Sequence, residues 1–221
     1  MELYDVMRTT FSAREFTDDP VPDAVLHRLF ENARFASSGG NRQGWRVIVT
    51  RDPATKSAIA ALGVPASQRY FAQSAAGEGP WNPIEPTKVP PDVIAKTVVP
   101  PVLIEPTRNA PVLLIVCVDL RVVAAVDQDL DRIAVVPGAS IYPFVWNILL
   151  AARNEGLGGT LTTMPIGQEP SLKALLGIPS YVGVAAILPM GRPKRQLVKL
   201  TRKPVHEIVW RERWEGTPFD A

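Results

Sequence analysis

The segment Ala33-Arg-Phe-Ala-Ser-Ser-Gly-Gly-Asn-Arg-Gln-Gly-Trp45, continuing into Arg46-Val-Ile-Val-Thr50, decides how the chain is read. A helical pattern ends near Phe35. A turn of small and polar residues follows (Ser37, Ser38, Gly39, Gly40, Asn41), and an apolar, β-branched run opens at Trp45. Two adjacent glycines admit positive φ and let another molecule come within contact of bare backbone. Ser38, Asn41 and Gln43 carry short donors and acceptors suited to reading a polar ring edge. The residues alone leave two readings open, a plain helix-to-strand loop or a loop that wraps a ligand.

Around this turn lies a chain with the composition of one globular domain over residues 1–221, 46% hydrophobic and 21% charged. A net charge of +2 gives no global pull toward nucleic acid or an anionic membrane surface. The single cysteine, Cys117, excludes an internal disulfide and fits a reducing, cytoplasmic compartment. It lies inside Val112-Leu-Leu-Ile-Val-Cys-Val118, where a small buried hydrophobe is expected and a nucleophile is not. The first residues have neither a basic region nor an apolar one, so no signal peptide is expected. Residues 133–152 are uncharged and about long enough to span a bilayer. They also contain Pro137, Gly138, Pro143 and Asn147, and the stretch from Ser140 to Arg153 is read as a helix buried on all sides in the domain centre.

The other elements follow from periodicity. Amphipathic helices are expected over 2–9 and 22–35, the second burying Val25, Leu26, Leu29, Phe30 and Ala33. A strand covers 45–50, and Asp52-Pro53 opens a third helix that Gly63 and Pro65 stop. Residues 65–109 hold so many prolines that long helices and central strands are not expected, apart from a short helix near 93–97. Tyr70, Phe71 and Trp81 make this segment too apolar for a linker, and it is read as an excursion covering a pocket. Continuous apolar runs at 110–119 and 181–189 mark strands buried on both faces. Residues 127–132 are expected to be exposed. A strand over 157–163, a tight loop at Met164-Pro-Ile-Gly167 and a helix at 169–176 precede the second of these runs. A basic stretch and an apolar arm close the chain. The alternation of helices and strands gives an α+β or α/β layered domain.

Chemistry-bearing residues are few. His27 and His206 stand alone, and no Cys or carboxylate cluster has the spacing of metal ligands. Gly156-x-Gly158-Gly159 follows a helix and precedes a strand, the reverse of a dinucleotide fingerprint. Cations are more informative. Arg8, Ser12 and Arg14 lie beyond the first helix, and Arg192, Lys194, Arg195, Lys199, Arg202 and Lys203 lie near the other end. The second group reads as a solvated arm, as a nucleic-acid contact that lacks interleaved aromatics, or as a source of one or two guanidinium groups for a phosphate.

The turn at 33–45 resembles the A-x-x-A-P-S-x-x-N-x-Q-P-W segment of the FMN-dependent nitroreductase family, with Ser37 and Gly44 where the family carries prolines. Phe11-Ser-Ala-Arg-Glu-Phe16 with Pro20-Val-Pro22 is similar to that family's opening. Glu155-Gly-Leu-Gly-Gly159 is similar to the stretch after its long helix, and Met164-Pro-Ile-Gly167 to the loop facing the flavin. Leu188-Pro-Met-Gly-Arg-Pro193 and Arg202-Lys-Pro-Val-His-Glu-Ile-Val209 are similar to its terminal region. The resemblance covers most of the chain outside 65–109. It implies a three-layer α/β/α fold with a mainly antiparallel sheet, a long buried helix and an extended C-terminal arm. It also implies FMN as cofactor, with NADH or NADPH as donor. Ser12 and Arg14 would contact the flavin, Ser38, Gly39, Asn41 and Gln43 would line its ring, and Pro165, Ile166 and Gly167 would donate backbone hydrogen bonds. Arg202 would bind the phosphate. Two family arginines are replaced by Thr10 and Phe11, which leaves either Arg8 as a substitute or a heavier reliance on Arg202 and Lys203.

The implied activity is hydride transfer from NAD(P)H through flavin to a nitroaromatic, quinone or similar small acceptor by a ping-pong scheme. Arg14 would stabilise charge on the reduced ring, and no protein acid or base is demanded. Residues 65–109 would form an active-site lid. The family precedent also implies a homodimer with its sites at the interface, and neither a nucleic-acid nor a membrane partner is expected. Still open are a same-fold flavoenzyme of other chemistry (dehalogenation, flavin destruction, ene reduction), a flavin-storage module, and an unrelated interaction protein whose proline-rich segment is a docking loop.

Overall fold

The computed structural model of the protein describes residues 1–220. Eight α-helices are present among them: α1 (Leu3–Thr9), α2 (Asp23–Ala33), α3 (Pro53–Leu62), α4 (Val64–Ala75), α5 (Pro91–Lys96), α6 (Pro101–Asn109), α7 (Tyr142–Asn154) and α8 (Glu169–Leu176). The strands are β1 (Trp45–Thr50), β2 (Val112–Asp119), β3 (Gly158–Gly159) and β4 (Val182–Gly191). They form one antiparallel sheet in the order β1-β2-β4-β3.

The two apolar runs become the central strands because their alternate residues serve two cores. Val112, Leu114 and Val116 of β2, with Ala186, Leu188 and Met190 of β4, pack against α2 and α7. Leu113, Ile115 and Cys117, with Val182, Val184 and Ile187, pack on the other face against Ile59 of α3 and Leu172 of α8. Helices cover both faces, as expected for three layers. The β2–β4 register breaks once. Val116 pairs with Ala186 and Cys117 with Val184, so Ala185 is an extra residue in a β-bulge. The bulge turns Ala185 toward Val118 and Ile141.

Local signals set several boundaries. The Asp52 carboxylate accepts from the Thr55 amide at 2.7 Å, and Pro53 fills the first turn of α3. Gly177, at φ 65°, ends α8 in the left-handed region that favours glycine.

Three expectations need correction. Residues 65–109 hold three helices, one of them 12 residues long. Pro65, Pro91 and Pro101 lie in first turns, where a missing N–H costs nothing, so proline opens these helices and does not forbid them. The strand expected over 157–163 shrinks to Gly158–Gly159, followed by a single bridge between Thr162 and Ile187. A Cβ at Gly159 would lie 2.9 Å from Met190 and from the Pro189 carbonyl, so only glycine fits beside β4 there. Helix α7, too apolar for the layers of one chain to cover, leaves Tyr142 and Trp146 each 45% exposed. In the segment 127–132 the exception to exposure is Asp127, which is buried and accepts hydrogen bonds from the amides of Val135 and Val136 and from Arg132. Among the described residues no helix is long and apolar enough to cross a membrane.

Candidate active site

The structure sorts the residues singled out in the sequence into three places. Ser12 forms a bridge with Gly159, and the Ala13 amide donates to Gly159 O at 3.0 Å. This tether carries Arg14 to the end of the sheet, where its guanidinium donates to Ser12 O at 3.2 Å. Arg14 lines a cavity of about 230 Å³ together with Thr160, Thr162, Thr163, Met164 and Tyr70. A second cavity of about 540 Å³ shares Tyr70, Thr163 and Met164 and continues to Ile166, Gly167, Trp81 and Tyr142. The two meet along Tyr70, Thr163 and Met164 and form one cleft, with Arg14 lining the first part and Ile166 and Gly167 the second. Among the described residues Arg14 makes no ion pair, and the lining contains no carboxylate.

The loop itself corrects one expectation. Proline has no N–H, so Pro165 donates nothing, and it is buried. The Ile166 amide donates to Thr163 O at 2.9 Å. Of the three residues, Gly167 is the one that lines the cleft with backbone alone. A Cβ there would sit 3.2 Å from the Cβ of Ala66, which keeps the loop close against α4.

Arg8 and Arg202 meet at another place. They line a cavity of about 470 Å³ with Met7, Val198, Lys199 and Leu200. Gln196 donates to Thr9 O at 3.0 Å and so ties the basic stretch to the end of α1. Three cations and no acid at one cavity form a donor set suited to a phosphate. The replacement of two family arginines has a local cause. Thr10 is buried and caps α1 through its hydroxyl to Val6 O at 2.7 Å, and Phe11 packs against Ala13, Phe16 and Ala110.

Ser38, Gly39, Asn41 and Gln43 line neither cavity. Their turn is docked on the start of α7, with the Gly39 amide donating to Ser140 Oγ at 3.0 Å and the Trp45 indole to Ser140 O at 2.7 Å. Trp45 also stacks on Phe144, with ring centroids 4.8 Å apart. Ser38 Oγ accepts from the Gln43 amide at 3.0 Å. Gly40, Asn41 and Gln43 all have positive φ (59°, 53° and 49°). Asn tolerates this region and Gln does so at a cost, so the turn stores backbone strain.

Tyr142 and Thr163 line the cleft without having been expected there, while Tyr70 and Trp81 come from the segment read as covering a pocket and Met164 from the loop read as facing the flavin. Ala66 and Tyr70 stand four apart on one face of α4, a signal hidden once Pro65 is read as a helix breaker. Cys117 is buried as expected, and burial pushes its thiol up to about 11.

The chain matches the nitroreductase family over residues 7–192. It belongs to that family. It is accordingly an FMN-dependent oxidoreductase, and its fold is the nitroreductase fold. The NADH dehydrogenase of Thermus thermophilus is 31% identical over 207 residues, covering 90% of this chain and 91% of that protein. The iodotyrosine deiodinase of Nematostella vectensis is 28% identical, covering 94% and 74%. Two solved structures share the nitroreductase fold at lower identity. Iodotyrosine deiodinase bound to FMN and 3-iodo-L-tyrosine has a TM-score of 0.69 at 24% identity, covering 96% of this chain and all of that one. The NfrA1 nitroreductase of B. subtilis has a TM-score of 0.68 at 15% identity, covering 96% and 74%.

Proposed function

We propose that this nitroreductase-family chain passes hydride from NADH or NADPH to a nitroaromatic, quinone or similar small acceptor. The observation that carries the reading is the cleft, with an unpaired guanidinium in one part, aromatic walls in the other, and no acid or base along it. FMN, when bound, supplies the hydride-accepting and hydride-donating chemistry, and the protein's share is position, charge and exclusion of water. Arg14 would hold the electron-rich edge of the bound ring and stabilise negative charge there, in a cleft with no competing carboxylate. Arg8, Lys199 and Arg202 suit the terminal phosphate. Thr160, Thr162 and Thr163 offer hydroxyls in the part that Arg14 lines.

The same reading makes the working form a homodimer. One chain leaves Tyr142 and Trp146 of α7 exposed, together with Val205, Ile208 and Trp214 of the arm, more apolar surface than an arm in water retains without a partner. The Ser38–Gln43 turn lies outside its own chain's cleft, and a second copy offers the route by which it reaches one. The deciding experiment is direct. Heat-released cofactor should chromatograph as FMN, NADH or NADPH should bleach the bound flavin without oxygen, and a quinone should restore the colour. A flavin that neither nucleotide bleaches would overturn the reading.

A second reading, reductive dehalogenation, is favoured by relatives named iodotyrosine deiodinase that match 94% of this chain. Halide release from 3-iodo-L-tyrosine under reducing conditions distinguishes it.

A further inference from the structure

Trp81 has a conformation that a tryptophan does not adopt unaided. Its φ is 55°, in a turn where Gly77 and Gly79 show that glycine is available to the sequence. Glycine at position 81 would take that conformation without strain, so the ring is what the position retains. The ring is not there to fill a core. Trp81 is 43% exposed and belongs to none of the buried apolar clusters. It lines the cleft together with Tyr70, Tyr142, Ile166 and Gly167.

Three contacts hold it. Its amide donates to Gln73 Oε1 at 3.0 Å, its indole N–H donates to Ala66 O at 3.2 Å, and the Arg69 guanidinium lies 4.1 Å from the ring centroid. Gln73 is 1% exposed and is itself fixed, donating to Glu78 Oε2 at 3.2 Å. Glu78 in turn accepts from Thr87 Oγ1 at 2.6 Å and from the Lys88 amide at 2.7 Å. A buried amide side chain of α4 thus ties two points of the 78–88 loop, Glu78 and the strained Trp81, to that helix.

We propose that Trp81 is a specificity-determining residue that stacks against planar acceptors, and that Gln73, which does not line the cleft, is the positioning residue holding it there. This rests on the hydride-transfer reading above. A planar acceptor gains from an aromatic wall, whereas ferricyanide, which takes electrons without entering a pocket, does not.

The test uses the flavin-loaded protein with a planar naphthoquinone and with ferricyanide. Trp81→Ala and Gln73→Met should each raise KM for the naphthoquinone by about tenfold, the scale of one lost aromatic contact. In Gln73→Met, flavin content and ferricyanide turnover should stay near wild type; in the Trp81 variants ferricyanide turnover should fall far less than naphthoquinone kcat/KM, and Trp81→Phe should restore most of the KM. The double variant should be no worse than Trp81→Ala alone, because Gln73 acts through the ring. Trp81→Gly should share the raised KM yet melt above Trp81→Ala, since it relieves the positive φ. If Gln73→Met fails to fold, the Trp81 series still decides. Unchanged KM in Trp81→Ala, or losses that add in the double variant, with normal ferricyanide turnover would overturn this assignment alone. A wild type that reduces neither acceptor would overturn the hydride-transfer reading and this one with it.

Discussion

Ser140 holds Trp45 at both ends of the turn that precedes it: its carbonyl accepts from the Trp45 indole at 2.7 Å, and its hydroxyl accepts from the Gly39 amide at 3.0 Å. One residue just before α7 therefore fixes a turn a hundred positions away in sequence. Ser140→Ala leaves the Gly39 amide without its acceptor and should cost about 1 kcal/mol, and Trp45→Phe about 2 kcal/mol through an unsatisfied Ser140 carbonyl. Thermal unfolding of both variants checks this. If the turn also reaches a flavin, both variants should lose cofactor faster than a variant of equal stability altered elsewhere.

Arg14 and Arg202 line different cavities and make no ion pairs among the described residues. Changing either to Ala should weaken FMN retention by about 1.5–3 kcal/mol, the range of charge-assisted bonds. Arg195, which lines neither cavity, is the control. Flavin release followed by fluorescence measures all three, and equal losses would point to bulk attraction and not to a site.

Asp127 gives a pH prediction with a definite sign. The Val135 amide, then Arg132 and the Val136 amide, hold its carboxyl down to about 2 against the opposing effect of burial. A carboxyl whose pKa falls on folding contributes its full stability above the unfolded value of about 3.9, and that contribution is lost as pH falls through the folded value. Asp127→Asn should therefore melt below wild type at pH 6, with the gap closing between about pH 4 and pH 2. A gap that stays constant across that range would contradict the clamp.

Cys117 should resist alkylation. Burial is the main cause of its high pKa, with Glu169 adding to the effect, so almost no thiolate exists at pH 8. Iodoacetamide should label the protein only after denaturant is added, as mass spectrometry would show.

The dimer is tested by sedimentation. An interface above about 2,000 Å² should keep two 24.1 kDa chains together at micromolar concentration. Truncation after Lys203 removes Val205, Ile208 and Trp214 and should cost both the dimer and the flavin. A monomer that keeps FMN would contradict the interfacial site.

The sequence was most readable where one force acted alone. The runs 112–118 and 182–190 are buried on both faces, and burial of that kind leaves no polar residue to confuse the pattern. The turn at 38–43 was legible from its small residues, and its docking on Ser140 was not, because that contact spans 101 positions. Helix α4 was lost to a rule applied without position, since Pro65 blocks a helix interior and suits a first turn. With α4 went the helix face that carries Tyr70 and the anchor of Trp81, although both aromatics were read as covering a pocket. Leu161 is 40% exposed beside buried Thr160, the reverse of their polarity, so the apolar pattern over 157–163 did not show that pairing with β4 stops after Gly158 and Gly159.

The bulge at Ala185 has a consequence for how this cleft can change over time. Ala185 and Val184 line it, and the Ala185 carbonyl lies 3.5 Å from the Tyr142 hydroxyl, at the long limit of a hydrogen bond. Gly167 presents no side chain there and Ala185 only a methyl group. A chain that keeps these two positions small keeps the floor of the cleft open. Aromatic residues at the rim can be exchanged while the floor persists, a division of labour that suits one scaffold to many acceptors.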